Sequence, residues 1–240
     1  MSLRKENAPP AEVGYFAQSR QPWNILMFIT LPLLGFHLVT VFHPSGLVVP
    51  YYFRLALSHL GASAVHLSSL LIVSTLLVWH WRTRAPWRLE PAVLIAMAVE
   101  SILWTLPLVA LSFLLSHMAA QASQAASAAA TILHHVTQAV GAGIYEEFFF
   151  RLVLVSLAMG ICVDLFELPA RPVAMAAVTV SALLFALCHW TQLTLPDGFA
   201  WQKFFFLLLA GLLWGAIYIH RGLGIAIGSH IVWDLYVLVL

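Results

Sequence analysis

Two adjacent carboxylates and an arginine stand inside an apolar stretch of the chain, in the segment 145–151, which reads YEEFFFR. Glu147 and Arg151 are four residues apart, so on a helix they share a face and can form an ion pair. Glu146 lies about 100° further around the same helix. It has no partner near it in sequence, which makes it a candidate general base. The alternative for this segment alone is a structural charge cluster at the membrane interface that reaches toward water.

Two histidines in later apolar segments extend this set of reactive groups. His189 ends the segment 185–189, FALCH, and His230 lies four residues before Asp234 in the last apolar segment. At this spacing an imidazole and a carboxylate share one helix face. Taken singly, His189 also fits an interfacial histidine, and His230 with Asp234 also fits a satisfied buried pair. Ionisable groups near the bilayer centre cost at least about 2.5 kcal/mol each and are usually functional.

The composition assigns these groups to a membrane protein. Hydrophobic residues make up 62% of the chain and charged residues only 9%, whereas soluble domains carry about 25% charged residues. Residues 101–145 contain no Asp, Glu, Lys or Arg. The bilayer is the solvent that tolerates such a surface. The net charge of +1 gives no indication of nucleic acid as a partner.

Seven apolar segments are each close to the roughly 20 residues that a helix needs to cross hydrocarbon. They are 23–42, 55–80, 91–118, 138–163, 172–190, 201–219 and 222–240. The sequence therefore predicts an all-α protein, a polytopic transmembrane helical bundle of about seven to eight spans. We expect a polar N-terminal tail over 1–21 and a single membrane domain over 22–240. The Ala/Ser/Gln-rich stretch 119–130 fits either an interfacial helix or an extension of the third or fourth span.

The basic residues predict the orientation of the bundle. Arg4, Lys5 and Arg20 precede the first span, and Arg82, Arg84 and Arg88 lie between the second and third. His220 and Arg221 lie between the sixth and seventh. All three regions fall on one side if the spans alternate, and the positive-inside rule makes that side cytoplasmic. The N-terminus is then cytoplasmic and the C-terminus outside. With this alternation Glu146, His189 and His230 all lie in the outer half of the bilayer or near its centre, where they could share a water-filled cavity.

Small residues predict close helix packing in the last two spans. Gly211 and Gly215 are four residues apart, as are Gly224 and Gly228, and this spacing lets helix backbones approach closely in lipid.

Other polar or reactive residues give weaker indications. Glu100 could face the same cavity, but a single carboxylate carries little weight. We expect Cys162 and Cys188 to be small core residues rather than a disulfide or metal ligands.

The three polar motifs, taken together and in this order, resemble the CPBP family of intramembrane proteases. This family includes the type II CAAX prenyl proteases and many bacterial relatives. Its pattern is two glutamates with an arginine four residues after the second, then Phe-x-x-x-His, then His-x-x-x-Asn or Asp. The resemblance covers about residues 138–240 and implies a catalytic core there.

The resemblance also implies a role for each site residue. Glu146 and His189 would bind and activate the water that attacks the scissile carbonyl, and His230 with the residue at 234 would stabilise the oxyanion. Glu147 and Arg151 would hold the geometry of the site. An ionised Asp234 cannot donate a hydrogen bond to an oxyanion. Asp234 is therefore either protonated or accepts from the His230 ring and orients it, and we favour the orienting role.

The resulting prediction is an intramembrane endopeptidase that cuts a membrane-anchored protein or peptide substrate and needs no cofactor. We place it as a multi-pass protein in a bacterial inner (plasma) membrane. One alternative is a zinc protease with Glu146, His189 and His230 as metal ligands, although the chain lacks the His-Glu-x-x-His signature. The other is a non-catalytic transporter or scaffold, for which the expected inverted repeat of broken helices is not seen in the sequence.

Overall fold

The described residues form a helical bundle with one short β-hairpin. The computed structural model describes residues 14–42, 63–118, 132–189, 193–195 and 198–239. The helices are α1 (Tyr15–Gln18), α2 (Pro22–Phe42), α3 (Ser63–Thr83), α4 (Pro91–Met118), α5 (Ile132–Leu165), α6 (Ala170–Cys188), α7 (Trp201–Arg221) and α8 (Leu223–Val239). The antiparallel strands β1 (Thr194–Leu195) and β2 (Gly198–Phe199) connect α6 to α7. The predicted all-α polytopic architecture is confirmed.

The long helices correspond to the spans expected from hydropathy. In the described part of the chain, five of them are long and apolar enough to cross a bilayer, namely α2, α4, α5, α6 and α7. The shorter apolar α8 and the 21-residue α3 occupy the two remaining predicted positions. The protein is therefore an integral membrane protein. The stretch 119–130 and the first residues of the predicted second span lie outside the described residues.

Helix α5 carries the two adjacent carboxylates at a change in its winding. It is α-helical over Ile132–Glu147 and π-helical over Phe148–Val155. A second π-helical stretch covers Gly160–Leu165 near its end. π-Helical turns within longer helices are frequent at functional sites. Here the change in winding begins directly after Glu147.

Glycines allow the site-bearing helices to approach closely, as the small-residue spacing predicts. A Cβ placed on Gly211 would lie 3.0 Å from Ala182, and one on Gly215 would lie 2.5 Å from a Val178 methyl group, so α7 packs tightly on α6. On α8, Gly224 and Gly228 face Met97 and Ser101 of α4 in the same way. The predicted close packing of the last two helices is confirmed. A further close approach joins α5 to α8, where Gly143 meets Ile231.

The predicted basic regions meet at one end of the bundle, which we call the basic end. The Arg20 guanidinium donates a hydrogen bond to the Ile219 carbonyl (3.3 Å), and the same side chain packs against Gly222. The Trp23 ring lies 4.9 Å from the Trp87 ring of the α3–α4 connection. The N-terminal segment, this connection and the α7–α8 junction are thus neighbours. We call the opposite end, where α6 ends and α7 begins, the site end.

Candidate active site

A buried ion pair forms the base of the candidate site. Glu147 Oε1 lies 3.1 Å from Arg151 Nη1, and both side chains are fully buried. Arg151 Nη2 donates a hydrogen bond to the Gly211 carbonyl of α7 (3.0 Å), and its guanidinium lies 5.0 Å from the centre of the Phe185 ring of α6. The pair expected from the four-residue spacing is present. It also connects α5 to α6 and α7.

His230 is held by the same carboxylate. Its Nδ1 lies 2.7 Å from Glu147 Oε1, and since a carboxylate only accepts, the ring nitrogen donates. The indole of Trp214 stacks on the imidazole with a centroid distance of 3.8 Å and an interplanar angle of 11°. The Phe185 ring contacts it edge-on at 6.0 Å. These contacts fix the plane of the ring and leave Nε2 to face the remaining polar groups of the site.

Two further carboxylates face His230 Nε2. Glu146 Oε2 lies 3.8 Å from this nitrogen, and Asp234 Oδ2 lies 3.7 Å from it. Both distances exceed hydrogen-bond range and suit groups bridged by one water molecule. The orienting role favoured for Asp234 does not match this geometry, because Glu147 occupies Nδ1 while Asp234 approaches the opposite nitrogen. Glu147 is the group that orients the ring.

His189 lies beside this cluster rather than within it. It caps the C-terminus of α6, and its Nδ1 bonds to the Phe185 carbonyl (2.9 Å), which turns the ring back along the helix toward the cluster. The Ser181 hydroxyl donates to the Phe150 carbonyl of the antiparallel α5, which puts Phe185 level with Glu146. The ring of Phe185 contacts both imidazoles, with centroid distances of 4.9 Å to His189 and 6.0 Å to His230. His189 Nε2 is left to act on a group that enters the site.

Trp214 is the site residue that the sequence pattern did not reveal. Its side chain is almost fully buried, with 1% of its surface accessible to solvent. Its Nε1 has no hydrogen-bond partner among the described residues. One signal was available: Trp214 stands mid-span between Gly211 and Gly215, whereas tryptophan prefers the membrane interface. An indole buried in mid-membrane needs a specific reason, and stacking on His230 supplies one.

Glu100 and the two cysteines, which the sequence analysis also considered, are not part of the site cluster. Glu100 does not join the cluster, since it forms an ion pair with Arg221 near the basic end. Cys162 and Cys188 are both free thiols, as expected, but both are partly exposed and neither is a buried core residue.

The zinc alternative requires three ligand side chains grouped around one point. Within the described ranges, no three His, Cys, Asp or Glu side chains are grouped so that they could hold a metal ion. The ligand set of Glu146, His189 and His230 is therefore not assembled in this geometry.

The comparisons with known proteins agree with the site. Residues 128–236 match the family model described as type II CAAX prenyl endopeptidase, Rce1-like. No curated protein and no solved structure matches the chain. The matched range contains all six residues of the predicted site, on helices α5, α6 and α8. The match over this segment supports the resemblance of the chain to the CPBP, or type II CAAX protease-like, family.

Proposed function

We propose that the protein is a glutamic-type intramembrane endopeptidase that hydrolyses a peptide bond of a membrane-anchored protein, with Glu146 as general base. One observation supports this most strongly. Glu146 Oε2 and Asp234 Oδ2 lie 3.8 and 3.7 Å from the same nitrogen of His230. A single water molecule between these three groups can bond to each of them. Such a water would lie beside the Glu146 carboxylate. This carboxylate has no hydrogen bond to another described side chain, so it can accept a proton from the water.

Glu146 supplies the proton transfers. It removes a proton from the water as the water oxygen attacks the scissile carbonyl carbon, and the carbonyl π electrons move onto the oxygen. The resulting tetrahedral intermediate collapses when Glu146 returns the proton to the leaving nitrogen and the C–N bond breaks. His189, with its Nδ1 engaged by Phe185, offers Nε2 as a second partner for the water.

His230 stabilises the oxyanion. With Nδ1–H donated to Glu147, the ring donates from Nε2 when it is protonated, and that hydrogen bond strengthens as negative charge develops on the carbonyl oxygen. Glu147 balances the imidazolium charge through the 2.7 Å hydrogen bond, and the face of Trp214 adds a cation–π contact. Asp234 lies on the Nε2 side of the ring. There it accepts a hydrogen bond from the water and balances part of the imidazolium charge, and it does not donate to the oxyanion.

The substrate class follows from the membrane setting and the family. The family name specifies a CAAX prenyl endopeptidase, so we propose a membrane-anchored protein or peptide that reaches the site from the bilayer. We also propose a bacterial inner membrane with the basic end in the cytoplasm, so that the site end faces outward.

The decisive test is cleavage by Glu146→Gln. We expect kcat/KM for a membrane-anchored reporter in proteoliposomes to fall by roughly 1,000-fold, because general base catalysis contributes about 10²–10⁴-fold. The elution profile and thermal unfolding should match the wild type. Glu90→Gln, which changes an exposed carboxylate just before α4, is the matched control and should cut normally. Wild-type cleavage by Glu146→Gln would refute the proposal.

The zinc alternative is tested on the same preparation. Treatment with 1,10-phenanthroline should leave the rate unchanged, and elemental analysis should find less than stoichiometric zinc. A loss of activity that added zinc restores would instead assign the water to a metal.

A further inference from the structure

We infer that a cavity at the basic end of the bundle binds the headgroup of a zwitterionic phospholipid with a primary ammonium group, as in phosphatidylethanolamine. In this site Arg20 binds the phosphate and Asp164 binds the ammonium. The site lies at the end of the bundle opposite the candidate active site, and it does not depend on the proteolytic chemistry. It is supported by the cavity itself, by the unused polar groups of its wall and by the second π-helical stretch of α5.

The cavity lies where the segment before α2 meets α3, α5 and α7. Arg20 comes from that segment, Trp79 from α3, Asp164 from α5 and Tyr218 from α7. Its volume is about 280 Å³, close to the lower limit of the roughly 300–1,000 Å³ that small-molecule sites occupy. The space therefore suits a lipid headgroup whose acyl chains stay outside in the bilayer.

Two opposite charges line the cavity, and both have bonding capacity left. Arg20 donates a hydrogen bond to the Ile219 carbonyl at 3.3 Å, and a guanidinium has further N–H donors. Asp164 forms no ion pair or hydrogen bond within the described residues. Because the two charges balance, the wall is complementary to a ligand with one negative and one positive group rather than to an anion.

Hydroxyl groups extend the phosphate side of the wall. The Ser156 and Tyr218 hydroxyls lie 2.7 Å apart and share one hydrogen bond, and both residues line the cavity. The proton of the hydroxyl that accepts in this pair remains free to donate to a phosphate oxygen. Arg20 lies on the same side, because it is bonded to the carbonyl of Ile219, the residue after Tyr218.

The second π-helical stretch of α5 shapes the ammonium side. It covers Gly160–Leu165 and contributes both Gly160 and Asp164 to the cavity. Beyond the backbone of its own helix, a Cβ on Gly160 would meet only Asp164 Oδ2, at 3.9 Å, among the described residues. The absence of a side chain at Gly160 thus leaves open space beside the carboxylate. π-Helical turns are frequent at functional sites, and the active site does not use this one.

The bilayer is the source of the ligand that fits this position. Leu157 and Ile161, on the same turns of α5, expose 59% and 41% of their surface, as expected of side chains that face acyl chains. Arg20 and Trp79 lie near the ends of their membrane segments, at the depth where interfacial side chains meet headgroups. Basic pockets between spanning helices bind lipid headgroups in this way.

Three phospholipids with identical dioleoyl chains test the inference. Native mass spectrometry of the delipidated protein in detergent gives the affinity for phosphatidylethanolamine, phosphatidylcholine and phosphatidylglycerol. The wild type should bind phosphatidylethanolamine about tenfold more tightly than the other two, because only a primary ammonium donates hydrogen bonds to the carboxylate. Soluble glycerophosphoethanolamine at the same concentration should not displace the lipid.

Two variants change the site in different ways. Asp164→Ala should remove the preference for phosphatidylethanolamine over phosphatidylcholine. Glu167→Ala, which removes an exposed carboxylate outside the cavity wall, is the matched control and should keep it. Gly160→Leu fills the space beside Asp164 without removing a polar group, and it should weaken binding of phosphatidylethanolamine about tenfold.

The possible outcomes decide the inference without reference to proteolysis. Equal affinities for the three lipids, or an undiminished preference in Asp164→Ala, would refute it. Tightest binding of phosphatidylglycerol would show recognition of an anion alone, and displacement by glycerophosphoethanolamine would assign the cavity to a soluble ligand. Each of these two results would also overturn it. Cleavage by Glu146→Gln bears only on the proposed function.

Discussion

The described residues contain two arginine–carboxylate clusters, and they are built differently. In the first, which we call the clamp, Glu100 accepts hydrogen bonds from Arg221 (Nη2, 2.7 Å), from the Tyr15 hydroxyl (2.6 Å) and from the Trp104 indole (3.1 Å). The Arg221 guanidinium also lies 4.1 Å from the centre of the Phe16 ring. Both carboxylate oxygens are used, and the cluster ties the N-terminal segment to α4 and α7.

The site cluster leaves its polar groups incompletely paired. Glu147 uses one oxygen for both Arg151 and His230, while its Oε2 has no hydrogen-bond partner among the described residues. Arg151 Nε is likewise unpaired within them, and Nη1 lies near Glu147 without hydrogen-bond geometry. Buried polar groups are normally satisfied, and exceptions tend to have a functional reason.

The difference teaches how to tell a structural cluster from a reactive one in a membrane protein. A carboxylate whose two oxygens both accept hydrogen bonds from the protein holds helices together. It has no oxygen left to bind a substrate or a water. The site cluster has extra carboxylates, Glu146 and Asp234, arranged around an imidazole at water-bridging distances. The predictions below change one cluster at a time.

Glu147→Gln should have the largest effect, a fall in kcat of about 1,000-fold or more. The amide of glutamine can donate to Nδ1 and so selects the wrong tautomer of His230, a substitution that costs about 10⁴-fold in a serine protease triad. The matched change Glu100→Gln in the clamp should leave kcat of the folded protein unchanged. Peptide cleavage in proteoliposomes measures both variants. Similar losses of kcat in the two would contradict the distinction between the clusters.

Arg221→Met should act on stability instead. It leaves Glu100 as a mostly buried charge without its guanidinium, and removal of one partner of such a pair costs about 3–5 kcal/mol. We expect a lower midpoint of unfolding in detergent, with kcat per folded molecule near the wild-type value. If the variant were as stable as the wild type but slow, the clamp would belong to the catalytic machinery.

Trp214→Leu should have the smallest effect, a decrease in kcat of about tenfold, because an aromatic face near a cation contributes about 0.5–2 kcal/mol. Trp214→Phe keeps a ring over His230 and should recover most of the rate. Equal losses in the leucine and phenylalanine variants would show that volume, rather than the aromatic face, is what His230 requires.

Local spacing predicted part of the site correctly. The four-residue interval predicted the Glu147–Arg151 pair, and alternation of the spans predicted that Glu146 and His230 lie at a common depth. Interactions between helices were not predictable in this way. Trp214 meets His230, and Glu100 meets Arg221, only because of how α7 packs against α8 and α4. Asp234 was expected to orient the His230 ring, but Glu147 of α5 takes that position at Nδ1, which depends on how α5 approaches α8.

The change of winding within α5 has a consequence for how this helix can vary. A π-helical turn contains about one residue more than an α-helical turn. The side chains after Val155 therefore point in different directions around the helix axis from those that an uninterrupted α-helix would give them. The first part of α5 meets α8 at Gly143, and the π-helical part meets α6 at Phe150. One continuous span thus holds two independent contact faces. Deletion of one residue between Glu147 and Val155 should therefore turn the part of α5 that packs on α6 relative to the part that carries Glu146 and Glu147.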